Sequence, residues 1–556
     1  MVRRLLGFHA AALVLVLLGL LLLTGTDSVV SADEAAMIAE LDLLERTGDW
    51  TMPNPEPTVD PDMRALPLEL SDRTSDGRWA PFAKHPVHIA VLRPFWAAGG
   101  LGGALALSLA GVVVAAVSAA WLAERLRPGS AVAAFWLTGL GSPLLFDGFQ
   151  VVGHALAAGT FGVAAALLVH AIDDDRRPRA WAAVGGMAVA LALTGLVRSE
   201  GVLAGIALGV ACAAFGVVRR ERWPVVVGAV AATVGVAVRL GEPVLVRTVL
   251  GAGPADPLPS ASAGDSGFVS ARWSGFRVSV LDAGYGVDSG EGLLLAALLL
   301  AVGAALAWRL RRDGSLVTVL AVAAAVAAVG RMIAADFLVP GLLPALPLLA
   351  VALVLVRRDE AVRWPRSVLW AGAGLFAAAV VATQYRTGGT GEWGGRYFAV
   401  AVPVLVAVAV AAVIDGTDDM DGRTRRVAAA CLAVVAATLA FGAVRAVDRS
   451  RDAAGSVAQA VVEEVDDLDV EVTVSTRGAL SRFAWERALD GRRWMTTDPD
   501  AVGPLLERLA DDGVTRLALV TGSSEASVDA SAVAAGFTNA GEREVRPGTV
   551  VALLTR

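Results

Sequence analysis

The chain has 556 residues, of which 56% are hydrophobic and only 18% charged, with a formal net charge of −7. That is too apolar for a soluble globular protein, and with no basic stripe outside its short connectors the chain does not read as a nucleic-acid binder. Cys212 and Cys431 both fall inside apolar runs, so neither a disulfide framework nor a zinc site is available.

Thirteen apolar stretches follow in order: 5–23, 97–122, 131–146, 151–171, 180–197, 201–218, 223–240, 292–308, 315–330, 337–356, 367–383, 397–414 and 427–447. Such lengths suit a hydrocarbon core of ~30 Å, crossed at about 1.5 Å per helical residue. The first stretch follows Arg3 and Arg4 and ends in Thr24-Gly25-Thr26-Asp27, a poor cleavage site, so it reads as a retained span. The stretch 131–146 is interrupted by Gly139, Gly141 and Pro143, but removing it would break the alternation of the connectors.

Every second connector is basic: Arg125 and Arg127; Arg176, Arg177 and Arg179; Arg219, Arg220 and Arg222; Arg309, Arg311 and Arg312; Arg357, Arg358, Arg363 and Arg366; Arg423, Arg425 and Arg426. All lie on the side of Arg3 and Arg4. The positive-inside rule then predicts a plasma-membrane protein with a cytoplasmic N-terminus and an extracytoplasmic C-terminal tail. Asp173-Asp174-Asp175, and Asp418, Asp419 and Asp421, share connectors with these arginines and read as self-neutralising loops rather than metal sites.

Two domains are expected: a membrane domain, 1–447, and a small extracytoplasmic α/β domain, 448–556. In the tail, Val470, Val472 and Val474 alternate as in a strand. Residues 516–520 and 550–554 read as further strands, with helices over 478–490 and 501–512. Thr521-Gly522-Ser523-Ser524 between strand and helix reads as an ordinary N-cap. The outer side carries a loop over 24–96, another over about 241–291 and a Gly-rich loop over 384–396. That last loop lacks the Gly-Lys-Ser/Thr ending of a phosphate-binding loop.

Residues 31–47 directly follow the first span. Met37, Ile38, Leu41 and Leu44 share one helical face, with Glu40, Asp42 and Glu45 elsewhere, which predicts an amphipathic helix along the outer membrane surface. Ser31 and Glu34 fit a capping box, and Asp33 sits in the first turn.

At this point the chain resembles the GT-C superfamily of polytopic glycosyltransferases, particularly the branch of protein O-mannosyltransferases and lipid A aminoarabinose transferases. The acidic pair Asp33-Glu34 occupies the place where that family opens its first outer loop. Asp76-Gly77-Arg78-Trp79 and Lys84-His85-Pro86 look like the loop's end running into the second span. Val197-Arg198-Ser199-Glu200-Gly201 resembles an Arg-x-Glu-Gly hairpin, and Trp393-Gly394-Gly395-Arg396-Tyr397 a Trp-Gly-x-Arg-Tyr segment before a late span. The likeness covers residues 1–415 and leaves the tail without a counterpart. It implies a mainly α, polytopic transmembrane bundle of GT-C type that moves a sugar from a polyprenyl-phosphate donor to an extracytoplasmic acceptor.

Under that resemblance Asp33 is the general base, the alternative being that it only complements the helix dipole. Glu34 would orient Asp33 or the substrate, although a capping role also explains it. Asp147 and His154, around the second outer loop, would contact substrate; otherwise they are a helix cap and a buried, hydrogen-bonded histidine. Arg198 and Arg396 would bind the donor phosphate, since guanidinium forks suit phosphate geometry. Otherwise Arg198 snorkels or pairs with Glu200, and Arg396 belongs with the interface anchors Trp393 and Tyr397. Lys84 and His85 are candidates for the same anionic group, and Arg239 and Arg331 also reach the outer side. No cofactor is required and no metal cluster has suitable spacing, while the resemblance leaves open a divalent ion near Asp33. The expected partners are the lipid-linked sugar donor, membrane lipids and an acceptor of unspecified class.

Two other readings compete. A transporter or flippase would place ionisable groups mid-span and show repeated halves, and neither pattern is present. A non-catalytic scaffold is favoured by two departures from the family pattern: Gly153 stands where related sequences often carry an acid, and the stretch after Pro86 lacks a second proline and glycine.

Overall fold

The computed structural model describes residues 2–69, 71–173, 177–251, 267–282, 291–334, 339–383, 393–522 and 532–556. Asp174, Asp175, Gly388–Gly391, Ser523 and Ser524, together with much of the loop 241–291, lie outside the described residues. The chain forms two compact units. One comprises residues 1–24, 105–242 and 264–447, and the other residues 25–104, 243–263 and 448–556.

Among the described residues, eleven helices are long and apolar enough to cross a membrane, and the chain is a multi-pass membrane protein. The two remaining stretches are broken by proline. Residues 131–146 divide into Ala131–Gly139 and Leu144–Gly148, with Pro143 at the restart. Within 337–356 the helices Leu342–Ala345 and Pro347–Leu355 are separated by Leu346, at φ −135° and ψ 66°. Proline lacks an N–H to donate and drives the residue before it out of the helical region.

Small residues bring helices close in the first unit. A Cβ placed on Gly159 would lie 2.7 Å from the carbonyl oxygen of Gly111. One placed on Gly228 would lie 2.5 Å from that of Gly209. Lipid supplies no hydrophobic drive for helix association, so close backbone contact of this kind does much of the work. Leu22, Val218 and Leu310 remain exposed, as lipid-facing side chains would.

Several connector arginines pair with acids of other connectors. Arg127 pairs with Asp415 at 3.2 Å and Asp418 at 2.7 Å, and Arg357 with Asp419 at 2.9 Å. Asp173 accepts from Arg125 and from the Trp364 indole. Asp421 caps a helix, accepting from the Thr424 amide at 2.9 Å.

The second unit joins the first outer loop to the tail. In the loop, β1 (Met52–Pro53), β2 (Asp72–Arg73) and β3 (Arg78–Ala80) form an antiparallel sheet in the order β1-β3-β2. In the tail, β4 (Val472–Ser475), β5 (Trp494–Thr496), β6 (Arg516–Thr521), β7 (Thr538–Arg546) and β8 (Thr549–Thr555) are ordered β5-β4-β6-β8-β7. Strands β4, β5 and β6 run parallel, while β8 is antiparallel to both β6 and β7. The expected strands therefore form, with β5 and β7 in addition. The exposed, polar β7 carries no apolar alternation to announce it, and β5 is only three residues long.

The loop contributes to the tail's core. Val59 and Ala65 are buried with Val472, Leu505, Leu517 and Phe537. The Thr496 amide donates to the Leu66 carbonyl at 3.1 Å, and Arg493 grips Glu56 at 2.7 and 2.6 Å. The helix Ala32–Thr47 forms where expected but is not an open amphipathic surface helix. Every residue from Glu34 to Leu41 is buried, Glu40 at 0% exposure included. The helices Gly478–Phe483 and Trp485–Leu489 pack against it, and of its acids Glu34 and Glu40 are enclosed by protein while Glu45 stays exposed.

Candidate functional site

The first turn of the helix Ala32–Thr47 is tightly specified. Ser31 caps it from extended backbone, its hydroxyl accepting from the Glu34 amide at 3.3 Å. Glu34 reaches back to accept from the Val30 amide at 2.7 Å, one residue before the N-cap amide that the predicted capping box would use. Glu34 is wholly buried, and its charge acts on the buried Arg451. The structure thus gives Glu34 a capping task.

Asp33, one residue earlier, remains 38% exposed at its side chain. Its Oδ1 accepts from Nη1 of Arg482 at 3.0 Å. Arg482 belongs to the tail helix Gly478–Phe483 and also donates to the carbonyl and carboxylate of Glu69, at 3.0 and 3.2 Å. Nothing near Arg482 or Glu69 in the sequence flags either residue, because the pairing spans 449 positions.

Lys84 is exposed, and His85 is buried at 8% exposure with a left-handed φ of 53°. Two acids, the buried Glu40 and the half-buried Asp72, hold the backbone just before them. Glu40 accepts from the Phe82 amide at 3.0 Å, and Asp72 from the Ala83 amide at 2.8 Å. Burial pushes the Glu40 carboxyl well above its usual range against the pull of the Phe82 N–H, and the neighbouring Asp72 adds to the rise. Burial likewise raises Asp72, opposed by its bond from Ala83 and by the charge of Lys84. Periodicity sets Glu40 away from the apolar face of its helix, and nothing local in the sequence marks Asp72.

In the membrane unit, Arg198 occupies the N-cap position of the helix Ser199–Arg219 and meets Glu200 through two bonds of 3.2 Å. Arg396 lies over the ring of Tyr397, 5.1 Å from its centroid. The short helix Arg396–Ala401 packs against the helix Ser199–Arg219, whose N-cap is Arg198.

The Trp393–Tyr397 motif has a steric logic as well. Gly394 and Gly395 adopt φ values of 75° and 65°. A Cβ on Gly394 would lie 2.2 Å from Pro143, and one on Gly395 2.2 Å from the Ser279 carbonyl. Only glycine tolerates that combination. The buried Trp393 stacks on Phe146, with ring centroids 6.3 Å apart. This seats the motif beside the turn carrying Asp147. Asp147, Gln150 and His154 are each at 0% exposure.

Among the described residues, no group of three or more His, Cys, Asp or Glu side chains gathers as a metal ion would need. An apolar cavity of about 390 Å³ lies elsewhere in the membrane unit, lined by residues including Trp308, Leu355, Val413 and Cys431. It has no carboxylate in its wall and so lacks a group for acid–base chemistry.

No family model matches the sequence, and no curated protein matches it. Among solved structures, the Archaeoglobus fulgidus oligosaccharyltransferase in complex with zinc and sulfate is similar at 13% identity and a TM-score of 0.52. The match covers 94% of this chain and 69% of that one. The backbone fold is similar to that of this oligosaccharyltransferase. ArnT from Cupriavidus metallidurans, in a crystal structure bound to undecaprenyl phosphate, matches at 17% identity and a TM-score of 0.47. That match covers 98% of this chain and 97% of that one. The likeness to the oligosaccharyltransferase, at 13% identity, describes the backbone alone, and chemistry has to be argued from the side chains.

Proposed function

We propose that this protein is a membrane glycosyltransferase that moves a sugar from a polyprenyl-phosphate donor to an acceptor on the extracytoplasmic side. The acceptor hydroxyl attacks the anomeric carbon, and the bond from that carbon to the phosphate oxygen breaks. Asp33 takes the hydroxyl proton, and polyprenyl phosphate departs as the anion. Phosphate is already a good leaving group, so no general acid is required.

Arg198 and Arg396 are the proposed phosphate partners, and the packing of the Arg396–Ala401 turn against the helix that Arg198 caps is what supports the pairing. Glu200 offsets part of the charge of Arg198, which assigns the larger share of the phosphate's charge to Arg396. Lys84, exposed at the loop's end, is proposed as an additional contact for the anionic headgroup.

The observation that carries this reading is Asp33 itself. In a GT-C fold, in the first helical turn after the first span, a carboxylate is held by a buried arginine and still left 38% exposed. An acid serving only the helix dipole needs no such fixing. The test is transfer from a radiolabelled polyprenyl-phosphate sugar in membranes containing the full chain. Loss of transfer in Asp33→Asn supports the assignment, and undiminished transfer refutes it.

A further inference from the structure

The tail supplies the residue that holds Asp33. Arg482 is only 4% exposed and uses three separate nitrogens. Nη1 donates to Asp33 Oδ1 at 3.0 Å, Nε to the Glu69 carbonyl at 3.0 Å and Nη2 to Glu69 Oε2 at 3.2 Å. The buried hydroxyl of Ser481, its sequence neighbour, accepts from the Glu69 amide at 3.2 Å. The backbone of Glu69 is therefore gripped on both its N–H and its C=O by consecutive residues of one short helix.

Gly478 opens that helix, and a Cβ there would fall 2.2 Å from the Glu69 carboxyl carbon. Any side chain at 478 would displace Glu69, and with it the fork of Arg482. The helix also packs along Ala32–Thr47, the helix that carries Asp33. Exposure divides the tasks within the ion pair: the Arg482 side chain is 5% exposed and that of Asp33 38%. The buried partner is the support and the open partner is the working group. A planar guanidinium fixed by two further bonds restrains the position of the carboxylate oxygen it holds.

We propose that Arg482 is a positioning residue for Asp33, oriented in turn by Glu69, and that the tail is thereby part of the catalytic apparatus. This rests on the reading of Asp33 as the base. A base that drifts from the attacking hydroxyl loses rate steeply, on the order of 100-fold for a displacement of 1 Å.

The experiment compares Asp33→Asn, Arg482→Gln, Glu69→Gln and Arg487→Gln in the full chain, measuring kcat per folded molecule and KM for the lipid-linked sugar. Arg487 pairs with Asp466 in the neighbouring helix and serves as the control. The expected result for Arg482→Gln is a kcat lowered by about 10- to 100-fold with KM changed less than about three-fold. Glu69→Gln, which keeps the backbone bonds, should lose about three- to ten-fold on the same reasoning, and it carries the test if Arg482→Gln does not fold. Arg487→Gln should match the parent. A parental kcat in both Arg482→Gln and Glu69→Gln, or an equal loss in Arg487→Gln, would overturn the proposal. If Asp33→Asn is inactive while those variants are normal, only this inference fails. If Asp33→Asn is active, the base assignment fails with it.

Discussion

Arg198 and Glu200 form a closed fork, Nε to Oε2 and Nη2 to Oε1 both at 3.2 Å, with side chains only 9% and 2% exposed. Two charges withdrawn this far from water depend on the hydrogen bonds between them. Breaking a buried pair by removing one partner typically costs about 3–5 kcal/mol, whereas replacing both by apolar groups of similar size is often neutral. Glu200→Ala should therefore lower the thermal unfolding temperature clearly, and Arg198→Met combined with Glu200→Leu should recover most of the loss. Equal destabilisation by the single and double variants would show that the pair is not the unit that matters.

Asp33 and Glu34 are adjacent acids with different tasks, and substitution should separate them. Asp33→Asn removes the proton acceptor, and a loss of about 100- to 10,000-fold in transfer is expected. Glu34→Gln keeps an oxygen able to accept from the Val30 amide but removes the charge that acts on the buried Arg451, so it should lower stability while leaving the proton acceptor in place. Its transfer rate per folded molecule should stay near the parent's. Comparable rate losses in the two variants would contradict this division.

The buried Glu40 and half-buried Asp72 give the second unit a pH dependence of definite sign. Desolvation raises both, so the folded form keeps protons at pH values where the unfolded chain has lost them. Their contribution to stability is fully present below the ordinary carboxylate values, 4.5 for Glu and 3.8 for Asp, and is lost as pH rises through the raised folded values. Glu40→Gln, which mimics the protonated form, should flatten the fall of unfolding temperature as pH rises above the ordinary Glu value. Parallel curves for parent and variant would exclude Glu40 as the source.

Gly395 cannot accept a side chain without displacing the Ser279 carbonyl, whereas a Cβ added at Gly19 would meet nothing within 4 Å. Gly395→Ala adds a left-handed backbone penalty of about 1 kcal/mol or more to that clash. It should sharply reduce folded protein on size-exclusion chromatography, while Gly19→Ala behaves like the parent. Normal yield of Gly395→Ala would mean that the Trp393–Tyr397 turn has room to give.

Much of the architecture was legible because it is written in near neighbours. The apolar runs, the arginines between them, the Ser31–Glu34 cap and the alternation at Val472 and Val474 each depend on residues a few positions apart. The two broken spans show the limit of that reading. By hydropathy alone 131–146 and 337–356 are continuous, but Pro143 and Pro347 divide the backbone hydrogen bonding there.

By itself, then, the amino-acid order determined that this chain crosses a membrane many times, follows its first span with a capped acidic turn and carries an α/β tail. Tertiary structure alone decided that Glu40 is enclosed, that the Arg396–Ala401 turn packs against the helix Arg198 caps, and that Arg482 grips Asp33. The reason is physical. Periodicity and capping are sums over a few successive residues, while an ion pair closed across 449 positions exists only once both segments are packed into one core.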